Sequence, residues 1–283
     1  MKNRRQAKEI TRLISQLKKT GQDFTVHSSN YTTTIEANGQ KRQYINSFMN
    51  PAVFAAYNRV RADIKKSGIT TTDVMAIPFM NEPPDYFDNI GFPECERLPM
   101  VTNIDIKNAY PTTFLNAGFI SEGLANYLDK MDKKDKLATL GMLASQKTII
   151  EYRGGHPHQC RLAKANPYRP YFIYAVRAVD EIMKEVARIA GSAFLFFWVD
   201  GIYLHPDMSF NQVRQIMDVF RESNYIVHHH TLTDFNLTTN PGGLINVSFF
   251  KGEEQKEFNF PDRTAEKIKT AEILRHLKNL KNN

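Results

Sequence analysis

Two aspartates constrain this 283-residue chain most strongly, because each sits in a run that otherwise reads as apolar β-strand. Asp105 closes the segment Val101-Thr-Asn-Ile-Asp-Ile106, just before a turn. Asp200 lies between Phe194-Leu-Phe-Phe-Trp-Val199 and Ile202-Tyr-Leu204, the arms of a tight hairpin. Carboxylates flanked this closely by apolar strand residues cost several kcal/mol unless they are paired or bound to a metal. Two of them on neighbouring sheet edges would make a divalent-metal site of hard oxygen ligands suited to Mg²⁺. Water and substrate phosphates would complete the shell, which is the layout of two-metal phosphoryl transfer. Taken singly, each acid has a plainer reading: a helix cap or turn for Asp105, a hairpin-turn Asp-Gly for Asp200.

The elements around these acids predict an α+β chain, an antiparallel sheet with helices on one side. Residues 6–19 read as an amphipathic helix with Ile10, Leu13, Ile14 and Leu17 on one face. Residues 23–48 read as β, with Asn38-Gly39 marking a hairpin, and Asn50-Pro51 opens a helix to about Lys66. Five prolines make 78–99 a loop that separates an N-terminal unit from the rest of the chain. After the Asp105 strand come short helices at 109–117 and 121–131, a helix over 133–150 and an irregular loop over 152–168. A long helix over 169–190 precedes the Asp200 hairpin. Another helix spans 209–223, strands come next at 225–231, 244–250 and 256–260, and a charged helix occupies 263–281. The expected division is thus 1–99, a body over 100–261 with helices inserted at about 119–168, and 262–283.

Charge is concentrated at the ends. Residues 1–22 hold seven basic side chains, among them Arg4, Arg5 and Lys8, against one acid, and 262–283 hold six against three. Basic ends on a near-neutral body fit a polyanionic partner, although a solvated lysine-rich helix would look the same. At 42% hydrophobic and 24% charged the chain has a globular composition, and its apolar run at Ala193–Val199 is seven residues, far short of the roughly 20 of a membrane span. Two cysteines, Cys95 and Cys160, make no disulfide scaffold, and the basic N-terminus lacks the apolar core of a secretory signal. A reducing, intracellular setting and no membrane partner are expected.

The words around the two acids carry a resemblance. Asp105-Ile-Lys-Asn-Ala-Tyr110-Pro111 has the spacing Asp-x-x-x-x-Tyr-Pro and resembles the first polymerase motif of family B DNA polymerases, Asp-x-x-Ser-Leu-Tyr-Pro. Val199-Asp200-Gly201-Ile202-Tyr203-Leu204 resembles the third motif, Tyr-x-Asp-Thr-Asp-Ser. Asp200 takes the place of its second aspartate, Trp198 that of the first, and Gly201 that of the serine. Lys136-Leu-Ala-Thr-Leu140-Gly141-Met-Leu143-Ala144 resembles the lysine-bearing middle motif, without its Asn, Tyr and final Gly. The resemblance spans about 100–260 and includes 169–190 as the helix preceding the third motif.

This resemblance implies a polymerase-type palm with minimal helical fingers and a small N-terminal α/β unit. It implies that Asp105 and Asp200 bind two Mg²⁺ (or Mn²⁺) ions, with the Ile106 carbonyl completing one site. Lys136 would contact the triphosphate of the incoming nucleotide, and Tyr110 would pack beneath its sugar and reject a 2′-hydroxyl. Lys256, in Lys256-Glu-Phe258, would touch primer phosphates, with Arg4, Arg5 and Lys8 adding further phosphate contacts. The implied partners are a DNA primer–template and dNTPs. Residues 1–99 are too short for a proofreading exonuclease and carry no Asp-x-Glu. A stripped polymerase of this kind suits a viral or mobile-element origin, with an intracellular or nucleoid-associated location and accessory subunits or short products.

Two alternatives stand beside it. One is a non-catalytic palm-fold subunit for nucleic-acid binding or assembly, favoured by Trp198 and the eroded middle motif. The other is a reverse-transcriptase-like polymerase, disfavoured by Asp-Gly where Asp-Asp is usual. His156, His158 and Cys160, with Cys95, have the residue types of a zinc site but no Cys-x-x-Cys pair. His228, His229 and His230 would alternate faces along a strand, so all three cannot easily meet one metal.

Overall fold

Asn38-Gly39 folds back as the sequence predicts, with φ of 50° and 71°, and the strands on either side of it anchor the first of two sheets. The computed structural model describes residues 2–29, 31–45, 50–81, 95–239 and 245–260. In chain order its elements are α1 (Lys2–Lys19), β1 (Phe24–Ser28), β2 (Thr32–Ala37), β3 (Gln40–Ile45), α2 (Pro51–Ser67), α3 (Thr71–Met75) and β4 (Cys95–Ile106). Next come α4 (Ala109–Asn116), α5 (Glu122–Asp129), α6 (Lys133–Ala144), β5 (Thr148–Arg153), β6 (His156–Leu162) and α7 (Arg169–Ala190). The last are β7 (Phe194–Trp198), β8 (Gly201–Leu204), α8 (Phe210–Glu222), β9 (Val227–Thr239), β10 (Ile245–Lys251) and β11 (Glu254–Phe260). The architecture is α+β with two antiparallel sheets, and among the described residues no helix is long and apolar enough to cross a membrane. The charged helix expected at 263–281 lies outside the described residues.

The chain divides into two units, Met1–Asn81 with Tyr110–Ala175, and Glu82–Ala109 with Val176–Asn283. The sequence-based boundary near residue 99 does not match this division. The reason is a long-range strand pairing: β5 hydrogen-bonds to β1, so 110–175 joins the N-terminal residues in one sheet of order β3-β2-β1-β5-β6. The apolar stripe of α1 covers that sheet, Leu17 with Phe24, Val26, Ile35 and Tyr44, flanked by Ile10, Leu13 and Ile14. Helices α2 to α6 and the start of α7 build a second core around Phe114, Leu128, Leu140 and Leu143, all at most 1% exposed. Full burial contributes about 2 kcal/mol for each such side chain. Asn50 caps α2 through its side chain, accepting from the Ala52 amide at 3.1 Å, with Pro51 in the first turn.

Two expectations fail within this unit. The helix read over 133–150 ends at Ala144, where Ser145 turns extended and its hydroxyl donates to the Met142 carbonyl at 2.8 Å. The loop read over 152–168 contains a hairpin instead, β5–β6, turning through Gly154 and Gly155. Every residue of β6 is exposed, so it shows no alternation to read.

The second sheet has order β11-β10-β9-β4-β8-β7, which places β4 between β9 and β8. The expected long helix is observed over its full range as α7, and Ser209 caps α8 with Gln212 in a reciprocal capping box. Gln212 also ties α8 to the end of α7, donating to the Ala190 carbonyl at 3.1 Å.

Gly155 is the tightest point of the first unit, with φ of 77° and a missing side chain whose Cβ would overlap the Lys18 carbonyl at the end of α1. Gly155→Ala should therefore lower stability by about 3 kcal/mol in chemical denaturation, through strain and displacement of α1. Gly252→Ala, at φ 63° in open space, should cost about 1 kcal/mol. Equal effects would show that the α1 contact is unimportant.

Candidate functional site

The end of β4 is fixed by main-chain bonds on both sides. The Ile106 amide donates to the Asp200 carbonyl and the Lys107 amide to the Ile226 carbonyl, each at 2.8 Å. The register sets Asp105 opposite Gly201 on β8 and opposite His228 on β9, and Asn103 opposite Tyr203 and His230. Directly paired residues of an antiparallel ladder share a face. Asn103, Asp105, Gly201, Tyr203, His228 and His230 therefore form one polar patch, while Ile104, Ile106 and Ile202, of opposite parity, are buried. The patch borders an apolar cluster of Val101, Phe196, Leu232 and Phe235, against which Trp198 and Tyr203 also pack.

The β7–β8 hairpin departs from the plain Asp-Gly turn. Trp198 pairs with Gly201, so the two loop residues are Val199 and Asp200. Val199 carries φ of 56°, a left-handed conformation that costs a β-branched residue about 1–2 kcal/mol. Gly201 has no positive φ, so the turn does not explain it. Space does: a Cβ there would lie 3.0 Å from Asp105 Oδ1 and 3.5 Å from Asn103 Nδ2. The carboxylate of Asp105 thus lies over the bare backbone of β8. Asn103, 6% exposed, donates from Nδ2 to the Ile202 carbonyl at 3.2 Å and holds its amide beside that carboxylate.

Tyr203 is influenced by both acids. Burial pushes the Tyr203 phenol well above its ordinary pKa, and the negative charges of Asp105 and Asp200 push it further in the same direction. The two carboxylates therefore act on a single side chain. Across β4, burial lowers the His230 imidazole, and Lys251, His228 and His229 lower it further, against an opposing pull from Asp105. The rings of His228 and His230 stack at 6.0 Å, confirming that alternate histidines of the triplet share a face.

Asp105, half-buried, has its carboxylate beside the position that a Cβ on Gly201 would crowd, and Asp200, also half-buried, lies in the adjoining loop. Among the described residues no group of three His, Cys, Asp or Glu is placed to hold a metal ion. His156, His158 and Cys160 fall on exposed β6 and form no such group with any described partner.

The other expected site residues are spread over both units. Ile106 is buried at the end of β4, its amide bonded to Asp200. Lys256 lies on β11 and pairs with Glu254. Arg4, Arg5 and Lys8 lie on α1, with Lys8 exposed. Tyr110 and Lys136 belong to the first unit. Tyr110 lies in α4 with its ring 5.7 Å from that of Phe172. Lys136 is 8% exposed rather than solvated, its ammonium 3.5 Å from Asp129 Oδ1 and 3.4 Å from the Asp129 carbonyl. Lys130, Lys133 and Lys134 are the exposed lysines of that region. Sequence reasoning missed Asn103, Tyr203, His228 and His230 as neighbours of Asp105. The period-two patterns Asn103-x-Asp105 and His228-x-His230 hinted at them, but only the register joins them. Compared with protein-family models and with curated proteins, the chain matches none.

If both carboxylates act on Tyr203, neutralising them should lower its phenol. Ultraviolet titration of phenolate, with Tyr203→Phe subtracted to isolate one of the twelve tyrosines, should show Tyr203 ionising at lower pH in Asp105→Asn and lower still when Asp200→Asn is added. Burial should keep it above the ordinary tyrosine value. A phenol that does not move would separate the two acids.

Proposed function

We propose that this chain is a template-directed DNA polymerase of family B type, a palm that adds dNTPs to a primer 3′-hydroxyl without proofreading. The observation that carries the reading is the joining of Asp105 and Asp200 at the end of one sheet. Asp105 faces Gly201, and the Asp200 carbonyl accepts from the residue after Asp105. These are the two acids that the motif resemblance selects on independent grounds.

In this reading the carboxylates of Asp105 and Asp200, with the Ile106 carbonyl, hold two Mg²⁺ or Mn²⁺ ions. Such ions supply activation of the primer 3′-oxygen and neutralise charge on the leaving pyrophosphate. The chain's own residues prepare the place. Gly201 keeps space beside Asp105, and Asn103 orients the neighbouring backbone. Tyr203 remains a neutral phenol at physiological pH and adds no third negative charge. The 3′-hydroxyl would release its proton to solvent, its oxygen would form a P–O bond to the α-phosphorus, and the bond to pyrophosphate would break. Tyr110, five residues after Asp105, is proposed beneath the sugar on the strength of the motif. A triphosphate contact by Lys136 would require it to exchange its contacts with Asp129. Lys256 and the basic side chains of α1 would take nucleic-acid phosphates, and accessory subunits would supply further grip.

One observation favours a second reading, a non-catalytic palm that binds nucleic acid. Trp198 occupies the place of the third motif's first acid and packs against the apolar cluster of the sheet. Primer extension with Mg²⁺ or Mn²⁺ on DNA and RNA templates separates the readings. The polymerase reading expects incorporation by the wild type and a loss of at least about 100-fold in Asp105→Asn and in Asp200→Asn, with primer–template binding retained. Binding without incorporation on any template would contradict the enzyme and leave the binding module. A preference for RNA templates would point to the reverse-transcriptase-like alternative. Tyr110→Ala should raise ribonucleotide incorporation relative to dNTPs, and unchanged sugar discrimination would remove Tyr110 from that role.

A further inference from the structure

A cavity of about 480 Å³ opens within the first unit, between the β1–β2 turn, α2 and the segment after β6. Among the described residues its lining includes three cations, Arg61, Lys147 and Lys164, and no carboxylate, along with the aromatic rings of Tyr31, Tyr57 and Tyr168. An adjoining cavity of about 540 Å³ shares the lining residues Ser29, Tyr31 and Ser145 with it.

Arg61 is the centre of this wall. Its guanidinium carbon lies 5.4 Å from the Tyr57 ring centroid and 5.1 Å from that of Tyr168, so two faces hold the planar group in place. Its Nε is buried and donates no hydrogen bond among the described residues. A charged donor left without an acceptor costs about 1–3 kcal/mol, and such an atom calls for an explanation. No described carboxylate neutralises Arg61. The surrounding wall is preformed: Asn166 donates to the Tyr57 hydroxyl at 3.1 Å and to the Met142 carbonyl at 3.0 Å, and accepts from the Tyr168 amide at 3.1 Å. The Ala163 amide bonds to the Lys147 carbonyl at 2.8 Å and fixes the backbone beside both lysines.

We propose that these cavities bind a segment of single-stranded nucleic acid, its phosphates meeting Arg61, Lys147 and Lys164 and a base stacking on the half-buried ring of Tyr31. Cations interleaved with aromatic faces are the recognition chemistry of single strands, because every base offers a π-face and every linkage a charge. Two adjoining cavities that share Ser29, Tyr31 and Ser145 favour a strand over a free nucleotide, which one of them would accommodate. The Tyr31 ring favours a nucleic acid over an acidic peptide, which has charge but no bases. The assignment does not depend on the palm reading, since it uses none of that site's residues.

The test is fluorescence anisotropy of the full chain with a labelled oligothymidylate, in EDTA and without dNTPs, so that its outcome is separate from any result on incorporation. Lys147→Gln combined with Lys164→Gln should weaken binding about tenfold and reduce the slope of log affinity against log salt by about 1.4, the value for two phosphate contacts on a single strand. Arg61→Lys, which keeps charge but loses the stacked plane, should weaken it several-fold with an unchanged melting temperature. Thymidine monophosphate and polyglutamate should compete far less well than the unlabelled oligomer. Variants that bind within twofold of the wild type at an unchanged salt slope would overturn the proposal. So would equal competition by the mononucleotide, which would assign the cavity to free nucleotides, or by polyglutamate, which would assign it to an acidic protein.

Discussion

The main-chain pairing at the end of β4 governs the second unit. Amides at two successive positions, Ile106 and Lys107, donate to carbonyls on opposite neighbours, one from the Asp200 loop and one from the residue before β9. These bonds fix register without regard to side chain, and register decides which face each side chain takes. A slip of one residue would turn Asp105 to the face of Ile104 and Ile106 and bury an uncompensated charge among apolar groups. It would also put Ile104 in the place of Asn103 on the polar face. The arrangement is therefore selected by the hydrophobic pattern and locked by the backbone.

Around that anchor the chain breaks local rules in one small region. A valine takes a left-handed backbone conformation, two carboxylates stand beside an aromatic cluster, and a glycine occupies a strand position where no turn requires one. Each departure is unfavourable alone. They coincide within the hairpin and the strand end that bracket the two acids. The neighbouring phenol registers the result, since the charges of both aspartates resist its ionisation.

Much of the fold was legible because its signals were local. The stripe of Ile10, Leu13, Ile14 and Leu17, the Asn38-Gly39 turn, the caps Asn50, Ser121 and Ser209 and the full extent of α7 are set by periodicity and by hydrogen bonds a few residues apart. What escaped was settled at long range. Thr148-Ile-Ile becomes a strand by pairing with β1, more than a hundred residues earlier, and β6 joins it as an exposed edge. Lys136, expected at the triphosphate, is instead turned inward by its helix toward Asp129. At the site itself, the two aspartates were legible as acids out of place. The contribution of Gly201 was not, since a close approach between strands leaves no trace in spacing.

The central claim is that Asp105 and Asp200 form one divalent-cation site. Titration of the metal-free full chain with Mn²⁺, monitored by electron paramagnetic resonance of the free ion, addresses it without any need for catalysis. The account predicts saturable binding by the wild type that is lost when either Asp105→Asn or Asp200→Asn is made alone, because the two carboxylates share the same ions. Wild-type binding that survives both single substitutions, or that falls by independent and additive steps, would contradict it.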